Sequence, residues 1–471
     1  MIAYIIIVAG VAFSVVHANA QENQQESECV RPGNPYKLTS FDNDFSYLDQ
    51  ECYDGNGDDV LTKLGNKLKR IDIANDIKLD LGGEYRARYH SENNNARRRL
   101  GQDNSYFLSR LRVYGNLEIN KHVRVYGELI DAAIAGEELQ PTGSDINRHD
   151  LLNGFIDVNF DVLGANLLIR AGRQEITFGQ RRNIGINNWV NTRRAFDGVR
   201  VAIKKENVTL NIFSVSPRTI LPNNADPTND AQDFDGGSIQ YNIPNHEFEA
   251  FTYRLRQVHP IRTDFKIYTI GARYKGRNDN LLLEAEGAIQ RGDFGAGDQR
   301  SEFFALGIGY EFKNLPWKPT IWTHYDYHSG DSNPNDGVNS TYYQLFPAAH
   351  AWLGSIDFVG RQNIKALRIR ATANPTKKIV LDTQVHKFNL ADSRGAFYNA
   401  SRVVVRQDLT GQSGTDVGIE FDVTMTYKIL ERASVLVGYS RFWGGNFIDS
   451  TNPIGVSSNA DFIYTHLKLN F

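Results

Sequence analysis

The 471-residue sequence predicts an all-β fold, a transmembrane antiparallel up-and-down β-barrel of about eighteen strands, with a short N-terminal periplasmic preface. Three observations carry this prediction. Apolar and polar residues alternate with a period of two, short and long connections alternate along the chain, and the last strand ends on an aromatic residue. The low mean hydropathy of −0.43 fits such a barrel, because only every second residue of its strands faces lipid.

The first twenty residues form an apolar run that ends in Ala18-Asn19-Ala20, the small-x-small pattern of a signal-peptide cleavage site. An N-terminal anchor helix is the alternative interpretation. We therefore divide the chain into a signal peptide (1–20), a periplasmic preface (21–75) and the barrel (76–471). Because no later stretch is apolar enough for a spanning helix, an exported chain of this kind is periplasmic, secreted or in the outer membrane. The barrel pattern favours the outer membrane of a Gram-negative bacterium.

Both cysteines of the chain, Cys29 and Cys52, lie in the preface. In an oxidising compartment they could form a disulfide. Two unpaired thiols are an equally weighted alternative. Their spacing is not that of a CxxC motif and no histidine accompanies them, so the sequence indicates neither a metal site nor redox catalysis there.

The first strand shows the alternation. Successive side chains of a strand point to opposite faces, and residues 77–89 divide into an apolar and a charged face. The apolar face has Ile77, Leu79, Leu81, Tyr85, Ala87 and Tyr89; the charged face has Lys78, Asp80, Glu84, Arg86 and Arg88. The C-terminal strand alternates in the same way from Ile463 to the final Phe471.

Apolar and polar residues also alternate in the strands of a soluble β-sandwich. The lengths of the connections distinguish a membrane barrel from it. Short turns near 120–121, 162–165, 205–206, 244–246, 275–280, 313–318, 373–377 and 429–432 alternate with long polar stretches near 90–104, 132–151, 175–195, 216–236, 256–265, 291–301, 329–362, 390–414 and 443–460. Short periplasmic turns and long external loops are typical of outer-membrane barrels. A ring of this size leaves an aqueous channel rather than a filled core.

The strand face that is predicted to line the channel carries charged residues of both signs. The basic ones include Arg86, Arg88, Arg110, Arg112, Arg170, Arg200, Arg368 and Arg370. They could pair with acidic neighbours and stiffen the wall, or an excess of guanidinium could select carboxylate or phosphate groups. The net charge is −3, from 52 basic and 55 acidic residues. The chain therefore has no excess of basic residues that would indicate nucleic-acid binding.

One region is more specific than the strand pattern. It reads GRQEITFGQRRNIG at 172–185, NWVN at 188–191 and RAFDGVR at 194–200, and it resembles the strand–loop–strand signature of the alginate export family of outer-membrane proteins. FDNDFSY at 41–47, SGDSNPNDG at 329–337 with LFP at 345–347, and AFYN at 396–399 with DVGIE at 416–420 resemble the same family.

The resemblance implies an eighteen-stranded barrel that exports an anionic polysaccharide through an Arg-rich constriction. The residues at the matching positions of the family motif are Arg173, Gln174, Arg182, Trp189, Arg194, Asp197 and Arg200. Strand parity points Arg170, Gln174 and Arg200 into the lumen, and the resemblance adds Arg194 to the predicted pore-lining and substrate-binding set. Parity points Arg173 and Asp197 outward, where they could pair with each other or anchor the loop.

One departure from the family is the pair of cysteines in the preface, and two others bear on function. Asn188 stands where Asp often precedes the loop tryptophan, and the turn at 429–432 is short where the family's export pore has a long plugging segment. Alginate is therefore one candidate among anionic or polar solutes, and general uptake of small polar solutes is an alternative function.

Other classes of protein find less support. An outer-membrane enzyme would need a catalytic motif such as GxSxG or HExxH, and the chain has neither. His324, Asp326 and His328 share a strand face, but without further ligands we predict no metal and no cofactor. The expected partners are outer-membrane lipid or lipopolysaccharide, the solute and an unidentified periplasmic protein; a soluble glycan-binding protein is the remaining alternative.

Overall fold

The computed structural model describes residues 34–50, 59–94, 100–259 and 261–471. The predicted signal peptide and both cysteines lie outside these residues. Eighteen antiparallel strands, each paired with its neighbour in the chain, form a closed barrel. The fold class predicted from the sequence is therefore confirmed.

The eighteen strands occur in the predicted order. They are β1 Ile77–Asn93, β2 Asn104–Ile119, β3 Val123–Ala135, β4 Asn147–Val162, β5 Ala165–Gln174, β6 Phe196–Lys205, β7 Val208–Pro217, β8 Gln232–Ile243, β9 His246–Gln257, β10 Phe265–Asn278, β11 Leu281–Phe294, β12 Gly297–Glu311, β13 Thr320–His328, β14 Ile364–Thr376, β15 Ile379–Leu390, β16 Asp416–Lys428, β17 Ala433–Gly444 and β18 Ala460–Asn470.

The ring closes where β18 pairs with β1, from Asn470 opposite Glu84 to Asp461 opposite Asn93. The terminal residue extends this pairing, because Phe471 and Gly83 exchange two backbone hydrogen bonds of 2.9 and 3.0 Å. A Cβ atom at Gly83 would lie 2.5 Å from the Phe471 ring, so only glycine allows this approach. Closure leaves no unpaired edge, which is what a sheet in hydrocarbon requires.

The two faces of the strands carry the predicted chemistry. Charged residues of β1 such as Glu84 and Arg86 are buried in the lumen, whereas outward apolar residues such as Ile270, Leu306 and Ile308 are about half exposed. An apolar outer surface of this extent is compatible with lipid and not with water. The alternation therefore sorts side chains between lipid and lumen.

Connections of different length lie at the two ends of the barrel. Most strand pairs at one end are joined by short turns such as 163–164, 244–245 and 429–432, and most pairs at the other end by long loops such as 175–195, 329–363 and 391–415. The prediction of a long loop near 291–301 is wrong. Strands β11 and β12 run through it to a two-residue turn at 295–296, because its outward residues are polar rather than apolar and the pattern hid the strands.

The remaining elements are small. Helix α1 spans Val60–Asn66 and helix α2 spans Asn446–Thr451, and short strands lie at Ile71–Ala74, Val338–Asn339, Phe397–Tyr398 and Val404–Arg406. Within the described residues, no helix has the length and apolarity to cross a bilayer.

Part of the preface lies inside the barrel. Residues 34–50, here called the N-terminal arm, enter from the end with the short turns. Phe41 packs edge-on against the inward rings of Tyr126 and Phe155, at centroid distances of 5.8 and 5.3 Å. The Ser40 hydroxyl donates to Glu128 on the inner wall at 3.0 Å. The arm therefore occupies lumen space on the β2–β5 side.

A charge on the lipid face should destabilise the barrel. We expect Leu306→Arg to lower the free energy of unfolding in liposomes by about 2–4 kcal/mol, the cost of a cation near the bilayer midplane. Ile261→Arg, in the exposed loop between β9 and β10, is the matched control and should change it little. Denaturant titration would decide, and equal losses in both variants would contradict the assignment of the lipid face.

Candidate functional site

The loop between β5 and β6, residues 175–195, crosses the lumen and is here called the strap. Its two ends are tied together, since Arg193 binds Glu175 through Nε–Oε1 and Nη2–Oε2 contacts of 2.6 and 2.9 Å. Both side chains are buried. The loop is thereby held inward as a closed lobe instead of extending above the barrel.

The middle of the strap reaches one wall of the lumen through Arg182. This guanidinium lies 2.8 Å from Glu284 and 3.4 Å from Glu286 on β11, and 3.3 Å from Asp326 on β13. Its other face stacks on Trp352 at 3.7 Å. Three carboxylates thus surround one buried cation and anchor the middle of the strap to this wall.

The end of the strap reaches the opposite wall, where arginines of β1 and β2 bind its backbone. Arg86 donates to the carbonyls of residues 188, 189 and 190 at 2.8–3.2 Å. Arg88 donates to the carbonyl of Trp189 at 2.7 Å, and Arg110 donates to both oxygens of Asn188. These arginines, predicted to line the pore, therefore hold the strap.

Asn188 is the position at which the family resemblance in the sequence would place Asp. Its side-chain oxygen accepts from Arg110 at 3.0 Å and from Arg193 at 2.6 Å. An amide oxygen accepts these bonds but brings no negative charge. The cluster of cations on this wall is consequently less neutralised than an aspartate would leave it.

Trp189 fixes the same end of the strap by stacking. Its ring lies parallel to that of His350 at 3.7 Å, and the Arg88 guanidinium lies over it at 5.0 Å. His350 belongs to loop 329–363, the longest connection of the barrel. The two loops therefore lock together inside the lumen.

Further contacts join loop 329–363 to the strap. The backbone N–H of Phe346 donates to the Asn183 carbonyl, Tyr342 donates its hydroxyl to the Asn183 side chain at 2.7 Å, and Trp352 donates Nε1–H to the Gln180 carbonyl. The same loop caps the far wall, where the backbone N–H of Ile356 donates to Glu420 on β16 at 2.9 Å. Polar groups of the wall are thereby satisfied by loop backbone.

Two apolar clusters complete the packing between loops and wall. One gathers loop residues around Trp352 and Phe358 with inward residues of β14–β18, and the other gathers Ile176, Ile184 and Phe346 with inward residues of β6–β12. Burial of this surface stabilises the loops at roughly 25 cal/mol per Å². The loops are thus part of the folded core and not external appendages.

Two polar cavities lie on either side of the second cluster. Along β9, Gln257 lines a cavity of about 480 Å³ at the loop end, and Glu247 lines a cavity of about 490 Å³ at the turn end. Leu255, Tyr253 and Phe251 lie between them in the apolar cluster. We call the loop-end cavity the vestibule and the other the inner cavity.

The vestibule is cationic. Among the described residues that line it, none carries a carboxylate, whereas its basic residues are Arg193, Arg194, Arg218, His259, Arg262 and Arg402. Carboxylates behind the lining pair with two of them, Glu175 with Arg193 and both Asp150 and Asp226 with Arg218, so the cationic character comes from the other basic residues. Its remaining polar lining includes the amides of Gln232, Gln257, Asn187 and Asn229.

Arg194 and Arg402 are bound in the vestibule by neutral groups. Arg194 donates to the carbonyls of Gly185 and Pro347, and Arg402 donates to the Tyr343 hydroxyl and the Gln344 carbonyl. Burial, and then the nearby Arg402 charge, lower the pKa of Arg194 to about 9. Arg194 therefore stays charged at neutral pH, and a bound anion would relieve its repulsion with Arg402.

The other predicted lumen residues are engaged with the wall. Arg112 binds Glu84 and Glu128, Arg170 binds Asp157 and covers Phe41, Arg200 binds Asn211, Arg368 binds His324 and the Ala351 carbonyl, Arg370 binds Asp382, and Gln174 reaches the carbonyls of Gly172 and Gly198. Of these, Arg200 has an amide partner and partial exposure.

Arg173 and Asp197 lie on the outer face, as strand parity indicated. They stand opposite each other on β5 and β6 and form a bidentate pair at 2.7 and 3.0 Å. Arg173 also donates to the carbonyl of Asp226 in the next loop. The pair therefore ties the outer ends of two strands to a neighbouring loop.

The sequence reasoning missed Arg193, Arg402, Arg262 and Arg361. Arg193 stands beside Arg194 in the motif, so its basic doublet was a visible signal. Arg262 and Arg402 lie in loops that no strand pattern orients, and Arg361 meets Asp326 only through the fold, at 3.9 Å. Loop residues of this kind can be placed only by the packing of the loops.

A comparison with protein-family models identifies this architecture. The model described as alginate export matches residues 77–459, which is most of the barrel, including the strap and the vestibule. The chain belongs to the alginate export family. No curated protein matches the chain.

Solved structures similar to this alginate export family barrel are outer-membrane porins. Acinetobacter baumannii OccAB1 aligns with a TM-score of 0.55 at 13% identity, covering 83% of this chain and 96% of that one. Pseudomonas aeruginosa OpdO gives 0.56 at 12%, covering 83% and 97%, and OpdK with vanillate gives 0.52 at 12%, covering 83% and 98%. At such identity the likeness concerns the fold. Family and fold together place the protein in the bacterial outer membrane as a porin or export channel.

Releasing the strap from the β11–β13 wall should open the channel. We expect Arg182→Met to increase single-channel conductance in planar bilayers and to shift selectivity toward cations, because it uncovers three carboxylates. The loss of one partner in such a buried cluster also costs about 3–5 kcal/mol of stability. Arg441→Met, on the outer face, is the matched control; unchanged conductance and selectivity in Arg182→Met would contradict the role of the strap.

Loosening the N-terminal arm should have a smaller effect on the same measurement. Phe41→Ala removes the ring that packs on Tyr126 and Phe155, so we expect more frequent openings with unchanged ion selectivity. Tyr36→Ala, at the start of the arm, removes a ring near Arg432 and controls for general loosening at the turn end. Identical gating of Phe41→Ala and wild type would show that the arm does not restrict the pore.

Proposed function

We propose that the protein is a channel for anionic, hydroxylated solutes of the sugar-acid class, which enter or leave through the vestibule. The observation that supports this most directly is the vestibule lining, with several cationic side chains and no carboxylate among the described residues. Cationic rings and clusters are how pores favour anions.

The chemistry of the lining narrows the class of solute. Guanidinium groups bind carboxylates in bidentate fashion, and Arg194 and Arg402 already use part of their donors on neutral oxygens. The amides of Gln232 and Gln257 can both donate and accept, which suits sugar hydroxyls. A uronate unit, which has one carboxylate and several hydroxyls, meets both requirements.

The family name suggests a polymeric solute, whereas the loops inside the lumen leave room only for a small one. Alginate, the polymer in the family's name, consists of uronate units and is one candidate. The strap, the N-terminal arm and loop 329–363 fill much of the lumen, however, and the two cavities measure about 480 and 490 Å³. This observation favours small carboxylate-bearing solutes as a second candidate, with polymer passage requiring movement of the strap.

The protein acts as a channel and not as an enzyme in this proposal. The inward acidic groups that could serve as catalysts are engaged by arginines or loop backbone, as in the cluster of Glu284, Glu286 and Asp326 around Arg182. His324, considered as a metal ligand in the sequence, lies 2.7 Å from Glu284 and 3.0 Å from Arg368. A cation so close to it disfavours a bound metal ion.

Anion selectivity of the vestibule tests the proposal. We expect Arg194→Gln and Arg402→Gln each to weaken current block by galacturonate or short oligouronates about fivefold, the effect of about 1 kcal/mol for one unit charge at contact distance in water. The reversal potential in a KCl gradient should shift toward cations in both variants.

Two comparisons make this test specific. Arg148→Gln, an outward arginine paired with Asp131 at the rim, should leave block and selectivity as in wild type. Block by monouronates but not by long polymers would favour the small-solute candidate, and the reverse would favour polysaccharide export. Equal block by neutral and acidic sugars in wild type would contradict the proposal.

A further inference from the structure

The lipid-facing side of β8–β12 carries an apolar groove. Its volume is about 630 Å³, and it lies between the outward rings of Tyr241, Phe248, Tyr274 and Phe304, over the small residues Ala250, Ala272, Ala285 and Gly287. These small residues face outward on three adjacent strands, since Ala272 stands opposite both Ala250 and Gly287 in the register. Larger outward side chains flank the depression on both sides.

A row of guanidinium groups lies above this groove, toward the loop end of the same strands. Arg254, Tyr268, Arg291 and Arg300 stand opposite one another across β9–β12 in the strand register. Four residues along each strand separate this row from Ala250, Ala272 and Gly287. At about 3.4 Å per residue, the separation along the strand is about 14 Å.

Arg291 is the central cation of the row. Within the part of the chain that the structure describes, its guanidinium donates to the carbonyls of Gln290 and Ser301 and meets no carboxylate. Arg254 and Arg300 pair with Asp235 and Asp298.

The acidic groups nearby are unevenly placed. Asp293 and Asp298 lie one row further out, toward the loop end of the barrel, and Glu302 lies one row nearer the groove. Two of the three guanidiniums in the row are thus paired with carboxylates, and Arg291 is the one that meets only carbonyl oxygens among the described residues.

We propose that this face binds one lipid A molecule of lipopolysaccharide in the outer leaflet. Lipid A carries phosphates on a disaccharide and acyl chains beneath it, which matches cations toward the loop end with an apolar groove below them. Arginine suits phosphate because its planar fork donates two hydrogen bonds to one group. The loop end is the external end of the barrel, which is where this lipid resides.

Lipid A binding is tested with the full-length protein in detergent and in nanodiscs. Native mass spectrometry should show one tightly retained diphosphorylated lipid A on wild type, in preference to phosphatidylethanolamine and to dephosphorylated lipid A. Arg291→Ala with Arg300→Ala should weaken binding about thirtyfold, from about 1 kcal/mol for each cation removed. Ala272→Leu, which fills the groove, should also weaken it.

The control variant is Arg441→Ala. It removes an outward arginine from β17 that is paired with Asp461, and binding should match wild type. Unchanged channel conductance in all variants would confirm that each barrel is folded. Equal retention of lipid A and dephosphorylated lipid A, equal binding by the double variant and wild type, or a second copy of the chain covering this face in cross-linking would each overturn the proposal.

Discussion

Closure of the strand ring is the constraint on which the rest of the structure depends. In hydrocarbon every backbone N–H and C=O needs a partner within the protein, so β18 must return to β1, and the approach of Phe471 to Gly83 completes that contact. A closed ring of eighteen strands is wide enough to hold water. Its interior is then available to loops, and the loops decide what passes.

The strap and its arginines turn a wide barrel into a partitioned one. Arg182 meets carboxylates at one wall, and Arg86 and Arg88 meet carbonyl oxygens at the other. These two modes differ in electrostatic consequence, because the first neutralises its cation and the second leaves it charged. The lumen therefore contains neutral anchors beside positive surfaces, and the vestibule around Arg194 and Arg402 belongs to the second kind.

The sequence predicts what local periodicity controls and little of what tertiary contact controls. Alternation oriented Arg170 and Arg200 inward and Arg173 and Asp197 outward, because a strand leaves only two directions for a side chain. It failed at 291–301, where the outer face is polar beyond the lipid. Alternation could not predict the 2.8 Å contact between Arg182 and Glu284, because these residues are distant in the chain. The family motif marked the strap without disclosing where it lies.

The order of residues along the chain has a consequence for biogenesis. The strap follows β5, but its anchoring carboxylates Glu284, Glu286 and Asp326 belong to β11 and β13, so it cannot dock until more than half of the remaining wall has assembled. Occlusion of the lumen by the strap is consequently a late step of folding, unlike packing of the N-terminal arm, whose partners lie on β3 and β4. The chain can thus seal its own channel only after the strands that carry these three carboxylates have formed.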